Sequence, residues 1–128
     1  MDRDWAHGFV EEWVQAWNDH DLDRVLEHFA DDVVFTSPVA ALLVEASEGV
    51  IRGRPALRHY WSEGLRRIPD LHFEVVGVYV GVRTLVISYR NQRGGMVSEV
   101  LTFAGELAVE GHGTYMGDGT NPAGARTD

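Results

Sequence analysis

The feature that most constrains the fold of this chain is a change of hydrophobic period near residue 70. Before it, apolar residues recur every three or four positions, as on one face of an α-helix. After it, apolar and polar residues alternate, as in β-strands with one buried face. A chain with helices first and strands afterwards must cover a sheet face with its helices. The sequence therefore predicts an α+β domain with segregated layers.

Three helices are predicted in the first half of the chain. The first covers residues 4–18, the second runs from the N-cap Asp21 to residues 31–32, and the third runs from Pro55 to Pro69. The first helix has an aromatic stripe, with large rings at four-residue spacing: Trp5, Phe9, Trp13 and Trp17. We expect this stripe to pack on the sheet.

One strand is predicted at residues 33–37, and four more form a meander after residue 70. The apolar segment 39–44 is expected to be a loop or a single helical turn over an apolar surface, and residues 50–52 favour a short strand. The predicted order is α-α-β-α-β-β-β-β, with three N-terminal helices on a curved, mostly antiparallel sheet that encloses a cone-shaped cavity. Residues 1–116 are predicted to form one domain, and residues 117–128 a disordered tail.

Composition limits the partners of this chain. A formal net charge of −9 argues against nucleic acid and anionic membranes as partners, since both need a basic face. The absence of cysteine excludes disulfides, thiolate metal ligands and cysteine nucleophiles. The chain begins without the basic and apolar segments of a signal peptide, and no apolar run approaches the ~18 residues of a membrane span. We therefore expect a cytoplasmic location.

The predicted strand at residues 96–103 carries a carboxylate on its apolar face. Glu99 shares that face with Val97 and Leu101. Desolvation raises the pKa of a carboxyl, so that it can exchange a proton with a substrate carbonyl or the carbon beside it. The structural alternative is an acid that is satisfied by tyrosine or tryptophan donors, or paired with Arg90.

Two stretches resemble nuclear transport factor 2-like domains. They read WVQAWNDHDLDRVLEHFADDVVF at residues 13–35 and IRGRPALRHYW at residues 51–61. The likeness covers residues 5–116 and is greatest to the SnoaL-like branch, which is related to polyketide cyclases and steroid delta-isomerases. The resemblance implies the cone-shaped fold. It does not select one activity, because this superfamily includes isomerases, dehydratases, epoxide hydrolases, cyclases and non-catalytic binding modules.

The resemblance also locates the chemical groups of related enzymes on this chain. The general-base aspartate of the steroid-isomerase branch falls on Ser37, and its oxyanion-binding tyrosine falls on Trp13. Its second oxyanion donor, an acid on the penultimate strand, falls on Glu99, so one of three roles is retained. The cyclase-like branch keeps acid–base residues near its last strand, where this chain has Glu110, His112 and Tyr115.

The candidate site residues follow from strand parity and from proximity to the expected cavity. Tyr89 has the parity to orient Glu99 or bind a ligand, unless it is a core tyrosine satisfied by a neighbour. The predicted catalytic residues are Glu99, Tyr89 and His112. His112 is expected near the cavity mouth, with its facing left open by Gly111 and Gly113 on either side. The predicted pocket residues, for which core packing is the alternative, are Trp13, Trp17, Phe35, Ser37, Tyr60, Trp61, Leu101, Phe103 and Tyr115.

No metal site and no cofactor are predicted, because the six histidines show no ligand-like spacing. A homodimer through the outer sheet face is expected from apolar residues there, such as Val86 and Val100.

Two functions stay open. One is a cofactor-free isomerase, cyclase or lyase acting by proton transfer on an apolar carbonyl or polycyclic compound. The other is a non-catalytic binding or dimerisation module, which is favoured if residues 39–44 plug the cavity.

Overall fold

The computed structural model describes residues 1–117, which form four helices and a six-stranded sheet. The helices are α1 (Arg3–Asn18), α2 (Leu22–Leu26), α3 (Pro38–Leu43) and α4 (Arg54–Arg67). The strands are β1 (Phe29–Thr36), β2 (Val50–Arg52), β3 (Glu74–Val80), β4 (Thr84–Arg90), β5 (Met96–Ala104) and β6 (Leu107–Tyr115). The predicted α+β class, with helices packed on a curved sheet, is confirmed. The predicted tail lies, except for Gly117, outside the described residues.

The boundary between α2 and β1 differs from the prediction. α2 ends at Leu26, and Phe29 begins β1, where it lies opposite Ala108 of β6. Residues 31–32, which were expected to end the helix, are exposed strand residues. Aspartate has a low strand propensity. Residues 31–32 lie in an irregular part of β1, between the residues Phe29 and Val34 that pair with β6.

Two short elements add to the predicted order between β1 and α4. Residues 38–43 form α3, which begins at Ser37 because its Oγ accepts a hydrogen bond from the backbone N–H of Val39 at 3.1 Å. Residues 50–52 form the edge strand β2, antiparallel to β1. The chain then continues into α4, which packs against β1 and β2 at this edge of the sheet.

The strand order in the sheet is β2-β1-β6-β5-β4-β3. The pairing of β1 with β6 is parallel, and the other pairings are antiparallel. In the middle of the sheet, Glu99 lies opposite Ile87 on one side and Gly113 on the other. The predicted inward parity of β4 and β5 is confirmed, since Leu85, Ile87, Tyr89, Val97 and Leu101 are all buried.

The helices cover this face of the sheet with aromatic rings. Phe9 of α1 packs edge-on against Phe103 of β5, with 5.1 Å between ring centroids. Trp17 of α1 packs edge-on against Trp61 of α4 at 5.0 Å. Edge-to-face contacts of this kind add to the burial energy of large rings. Within residues 1–117, no helix is long and apolar enough to cross a membrane.

The outer sheet face and the hairpin tips carry exposed apolar side chains, including Val76 at 53% and Tyr79 at 64% exposure. The homodimer expected from that face stays a prediction, as does the cytoplasmic location.

Gly111 of β6 lies at a point where the sheet has no room for a side chain. It is opposite Phe35 in β1 and Leu101 in β5. A Cβ on this residue would lie 2.8 Å from Cδ2 of Phe35 and 3.0 Å from Cδ2 of Leu101. Both distances are shorter than van der Waals contact, so glycine is what allows these two side chains to pack over the strand.

Gly111→Ala should therefore lower the free energy of unfolding by about 1–3 kcal/mol, because the added methyl group overpacks the core. Chemical denaturation measures this change. Gly8→Ala is the control, since Gly8 is an exposed residue of α1 with no atom within 4 Å of the added Cβ. That variant should gain about 0.5–1 kcal/mol from helix propensity. A Gly111→Ala protein as stable as the wild type would contradict the packing argument.

Candidate functional site

A cavity of about 240 Å³ lies between the helices and the inner face of the sheet. Its wall is largely aromatic, with rings from helices, strands and the segment before β3: Trp17, Phe35, Tyr60, Trp61 and Phe73. An engineered apolar cavity of about 150 Å³ binds benzene. The volume therefore suits a ligand of one or two rings.

Glu99 is the one carboxylate among the described residues that line this cavity. It is 9% exposed, and its Oε1 accepts a hydrogen bond from the Tyr89 hydroxyl at 3.0 Å. Burial raises the pKa of Glu99 to about 7, although the Tyr89 hydrogen bond acts in the opposite direction. At neutral pH the carboxyl is thus divided between its protonated and ionised forms, which is the condition that favours acid–base chemistry.

Three hydroxyl groups meet on Ser37 beside this carboxyl. Tyr60 Oη donates to Ser37 Oγ at 3.2 Å, and Tyr115 is hydrogen-bonded to the same serine. Burial raises the pKa of Tyr60 to about 12 and the pKa of Tyr115 well above its ordinary value. Both phenols therefore stay protonated near neutral pH. Since Ser37 Oγ accepts from Tyr60 and Val39, its own proton is available to Tyr115.

Gly113 connects the carboxyl and the hydroxyl cluster. A Cβ on Gly113 would lie 3.5 Å from Ser37 Oγ and 3.6 Å from Glu99 Oε1. Ser37 Oγ and Glu99 Oε1 therefore both lie over Gly113, close to the same point. Since both residues also line the cavity, a ligand atom beside them would contact an acid–base group and the hydroxyl cluster at once.

Eight of the predicted site residues line the cavity: Trp17, Phe35, Ser37, Tyr60, Trp61, Tyr89, Glu99 and Tyr115. Three predicted pocket residues do not. Trp13 packs against Tyr89 and Phe73, with ring centroids 5.5 and 5.8 Å away. Phe103 packs against Phe9, and Leu101 is fully buried beneath Gly111. For Trp13, Leu101 and Phe103, core packing is therefore the correct interpretation.

His112 lies on the outer face of the sheet, so the expectation that it lies near the cavity mouth is wrong. It pairs with Val100, whose side chain points away from the face that carries Glu99. Its Nδ1 is hydrogen-bonded to Thr36 Oγ1 at 2.5 Å, and its Nε2 to Glu110 Oε1 at 2.7 Å. The buried positions of β6 on either side belong to Gly111 and Gly113, which leaves His112 the outward position.

Sequence reasoning missed the β4–β5 hairpin loop as part of the site. Asn91, Gln92 and Arg93 line the cavity. Because this loop is joined to β5 at the end nearer Glu99, the strand direction could have indicated that the loop lies at the cavity.

The segment 39–44 supplies Val39 and Leu42 to the wall and leaves the cavity open. Leu42 is 72% exposed, so it marks the opening.

Among residues 1–117, no three side chains of histidine, aspartate or glutamate gather closely enough to hold a metal ion.

The family model of the SnoaL-like domain matches residues 10–122. The chain belongs to the SnoaL-like family. A SnoaL-like protein of unknown function from Burkholderia thailandensis is 37% identical, with a TM-score of 0.84 over 89% of this chain and 96% of its own.

More distant structures share the fold of this SnoaL-like protein. TerC, co-crystallised with polyporic acid, is 11% identical, with a TM-score of 0.73 over 87% of this chain and 91% of its own. A protein proposed as a polyketide cyclase from Sinorhizobium meliloti is 14% identical, with a TM-score of 0.67 over 82% of this chain and 92% of its own. Identities this low show the fold alone. No curated protein matches the sequence.

The raised pKa of Glu99 makes stability depend on pH. The folded state keeps the proton between pH 4.5 and about 7, whereas the unfolded state has lost it. The contribution of Glu99 to the free energy of unfolding should therefore be greatest below pH 4.5, fall as the pH rises to about 7, and stay constant above. The total change should be on the order of 3 kcal/mol.

Denaturant unfolding of the wild type and Glu99→Gln at pH 5 and pH 8 isolates this effect, because glutamine cannot ionise. The difference in stability between the two proteins should change with pH in the stated direction. Glu106→Gln, at the exposed β5–β6 turn, is the matched control and should follow the wild type. A difference that is the same at both pH values would show that Glu99 does not titrate in this range.

Tyr89→Phe should raise the pKa of Glu99 further, because the phenol hydroxyl donates to the ionised carboxylate and stabilises it. Carbon-13 NMR of labelled glutamate side chains, assigned with Glu99→Gln, follows the titration directly. Tyr79→Phe, at a position that is 64% exposed, should leave the Glu99 midpoint in place. A midpoint that moves down in Tyr89→Phe would refute the assigned hydrogen bond.

Proposed function

We propose that this SnoaL-like protein binds a small apolar carbonyl or polycyclic compound and catalyses a proton transfer on it without a cofactor. The reaction class is that of an isomerase, cyclase or lyase. The supporting observation is Glu99, a buried carboxyl with a pKa raised to about 7 in an aromatic cavity. A group with this pKa can both accept and return a proton near neutral pH.

In the proposed mechanism, the ionised Glu99 accepts a proton from the carbon beside the substrate carbonyl. The electron pair of that C–H bond forms the C=C bond of an enolate, the π pair of the carbonyl moves onto its oxygen, and a phenol of the hydroxyl cluster at Ser37 donates a hydrogen bond to the resulting oxyanion. Tyr115 suits this role because the Ser37 proton satisfies its oxygen and leaves its own proton for the ligand. Return of the proton from Glu99 to a different carbon gives an isomer. Alternatively, the enolate carbon attacks a second carbonyl to close a ring, and Glu99 gives its proton to the alkoxide that forms.

Glu99 takes the base role in this proposal because Ser37 is poorly suited to it. Ser37 Oγ already accepts hydrogen bonds from Val39 and Tyr60, and a serine hydroxyl is a weak base. The relatives are consistent with an organic ligand, since TerC was co-crystallised with polyporic acid. They do not select a substrate.

A binding module without catalysis is the second candidate. Trp13, at the position of the oxyanion-binding tyrosine of the steroid-isomerase branch, is 1% exposed and packs behind Tyr89. That substitution removes one donor from the reacting end of the cavity. The cavity then retains an apolar ligand site with fewer groups to stabilise a developing charge.

Two measurements with 1-tetralone, a two-ring ketone, test the proposal. Binding should raise the thermal midpoint, because the ligand binds the folded state alone. In deuterated buffer, the protein should accelerate exchange of the hydrogens beside the carbonyl. Glu99→Gln should lower this exchange rate by about 100-fold or more, since a positioned general base contributes about 10²–10⁴.

Glu106→Gln should exchange hydrogens at the wild-type rate. If 1-tetralone and other ring ketones and phenols bind while no exchange occurs, the binding module is the correct function. If no such ligand shifts the midpoint at any pH, both functions are rejected.

A further inference from the structure

Arg93 is the one cationic side chain among the described residues that line the cavity. It is exposed, and no carboxylate of residues 1–117 pairs with it. Six of the other nine arginines in residues 1–117 have acidic partners, as Arg24 has in Glu12 and Asp19. Within the described residues, Arg93 therefore presents a positive charge without a carboxylate partner at the edge of an apolar space.

The hairpin loop holds Arg93 in place through its own hydrogen bonds. Asn91 Oδ1 accepts from the backbone N–H groups of Arg93 and Gly95, both at 3.0 Å. Gly94 has a φ of +80° and donates its N–H to the Asn91 carbonyl at 2.9 Å. The backbone of the loop is thus satisfied locally, and the guanidinium remains for solvent or a ligand.

The polar groups of the cavity lie at two separate ends. β5 begins at Met96, three residues from Glu99, which corresponds to roughly 10 Å at the rise of a strand. The loop with Arg93 lies beyond that end of β5, and Arg93 is an exposed residue of the cavity lining. Apolar side chains such as Ile68, Leu71 and Phe73 line the wall. A ligand that satisfies both ends needs an apolar ring body with one polar group inside and another at the opening.

We propose that Arg93 determines specificity by binding a carboxylate, so that the substrates are ring ketones that carry a carboxylate distant from the reacting carbonyl. This inference rests on the proposed function. A guanidinium binds a carboxylate with two parallel hydrogen bonds. It also offsets the repulsion that a protein of net charge −9 exerts on an anion. A carboxylate placed inside would meet Glu99, so the ligand is oriented with its ketone inward and its carboxylate at Arg93.

The test compares 1-tetralone-6-carboxylate with the neutral 1-tetralone-6-carboxamide, whose shape is nearly the same. Trp17 and Trp61 line the cavity, so quenching of tryptophan fluorescence reports binding of both. The wild type should bind the carboxylate about fivefold more tightly than the amide, as expected for one exposed ion pair. Arg93→Gln should abolish this preference and leave the affinity for the amide within about twofold of the wild type. Added salt should weaken carboxylate binding to the wild type but not to this variant.

Arg52→Gln is the matched control, because it removes the same charge from an exposed position of β2 outside the cavity. It should keep the preference for the carboxylate. Arg52→Gln should also exchange the hydrogens beside the carbonyl at the wild-type rate, whereas Arg93→Gln should raise the concentration of the carboxylate that gives half-maximal exchange.

The outcomes separate this inference from the proposed function. Equal loss of carboxylate and amide binding in Arg93→Gln would overturn it, because Arg93 would then contribute packing rather than charge recognition. A wild type that binds the amide and 1-tetralone but does not prefer the carboxylate would also overturn it, while the proposed function stands. If none of the three compounds binds, the proposed function fails and this inference fails with it.

Discussion

The arrangement of this site depends on the burial of one carboxyl group, that of Glu99. Glu99 occupies a position where a strand of a packed sheet would ordinarily carry a hydrophobic residue, and the loss of hydration raises its pKa to about 7. The surrounding structure accommodates it with the hydrogen bond from Tyr89 and the missing side chain of Gly113. The aromatic contacts between the helices and the sheet provide the stability that offsets this cost.

Under the proposed function, the chain keeps the family fold while a different group does the chemistry. Ser37, which the resemblance places at the base of the steroid-isomerase branch, caps α3 and is hydrogen-bonded to Tyr60 and Tyr115. A residue with this structural role can occupy the position of the base without disturbing the fold, because the positions of strands and helices are determined by packing and capping. In the proposed mechanism, the acid–base role belongs to Glu99, which lines the same cavity.

Much of this arrangement could be predicted from local pattern. Alternation along β4 and β5 placed Tyr89 and Glu99 on the inner face, since a one-residue shift would have exposed the buried hydrophobic residues of those strands, such as Ile87 and Leu101. The prediction for His112 was wrong because two glycines flank it, and glycine carries no hydrophobic signal for parity. The prediction that residues 31–32 end α2 was also wrong. Their strand conformation depends on the pairing of the flanking residues Phe29 and Val34 with β6, which is distant in sequence.

Hydrophobic period and capping residues were sufficient for the helices, the meander and the inward direction of Glu99, because each depends on a few neighbouring residues. Which inward residues line the cavity and which fill the core depended on tertiary packing. Trp13 and Trp17 lie on one helix stripe, yet Trp17 lines the cavity and Trp13 packs behind Tyr89. The placement of Arg93 likewise required the register that closes the hairpin. Such contacts join residues from separate elements, so only the assembled fold decides them.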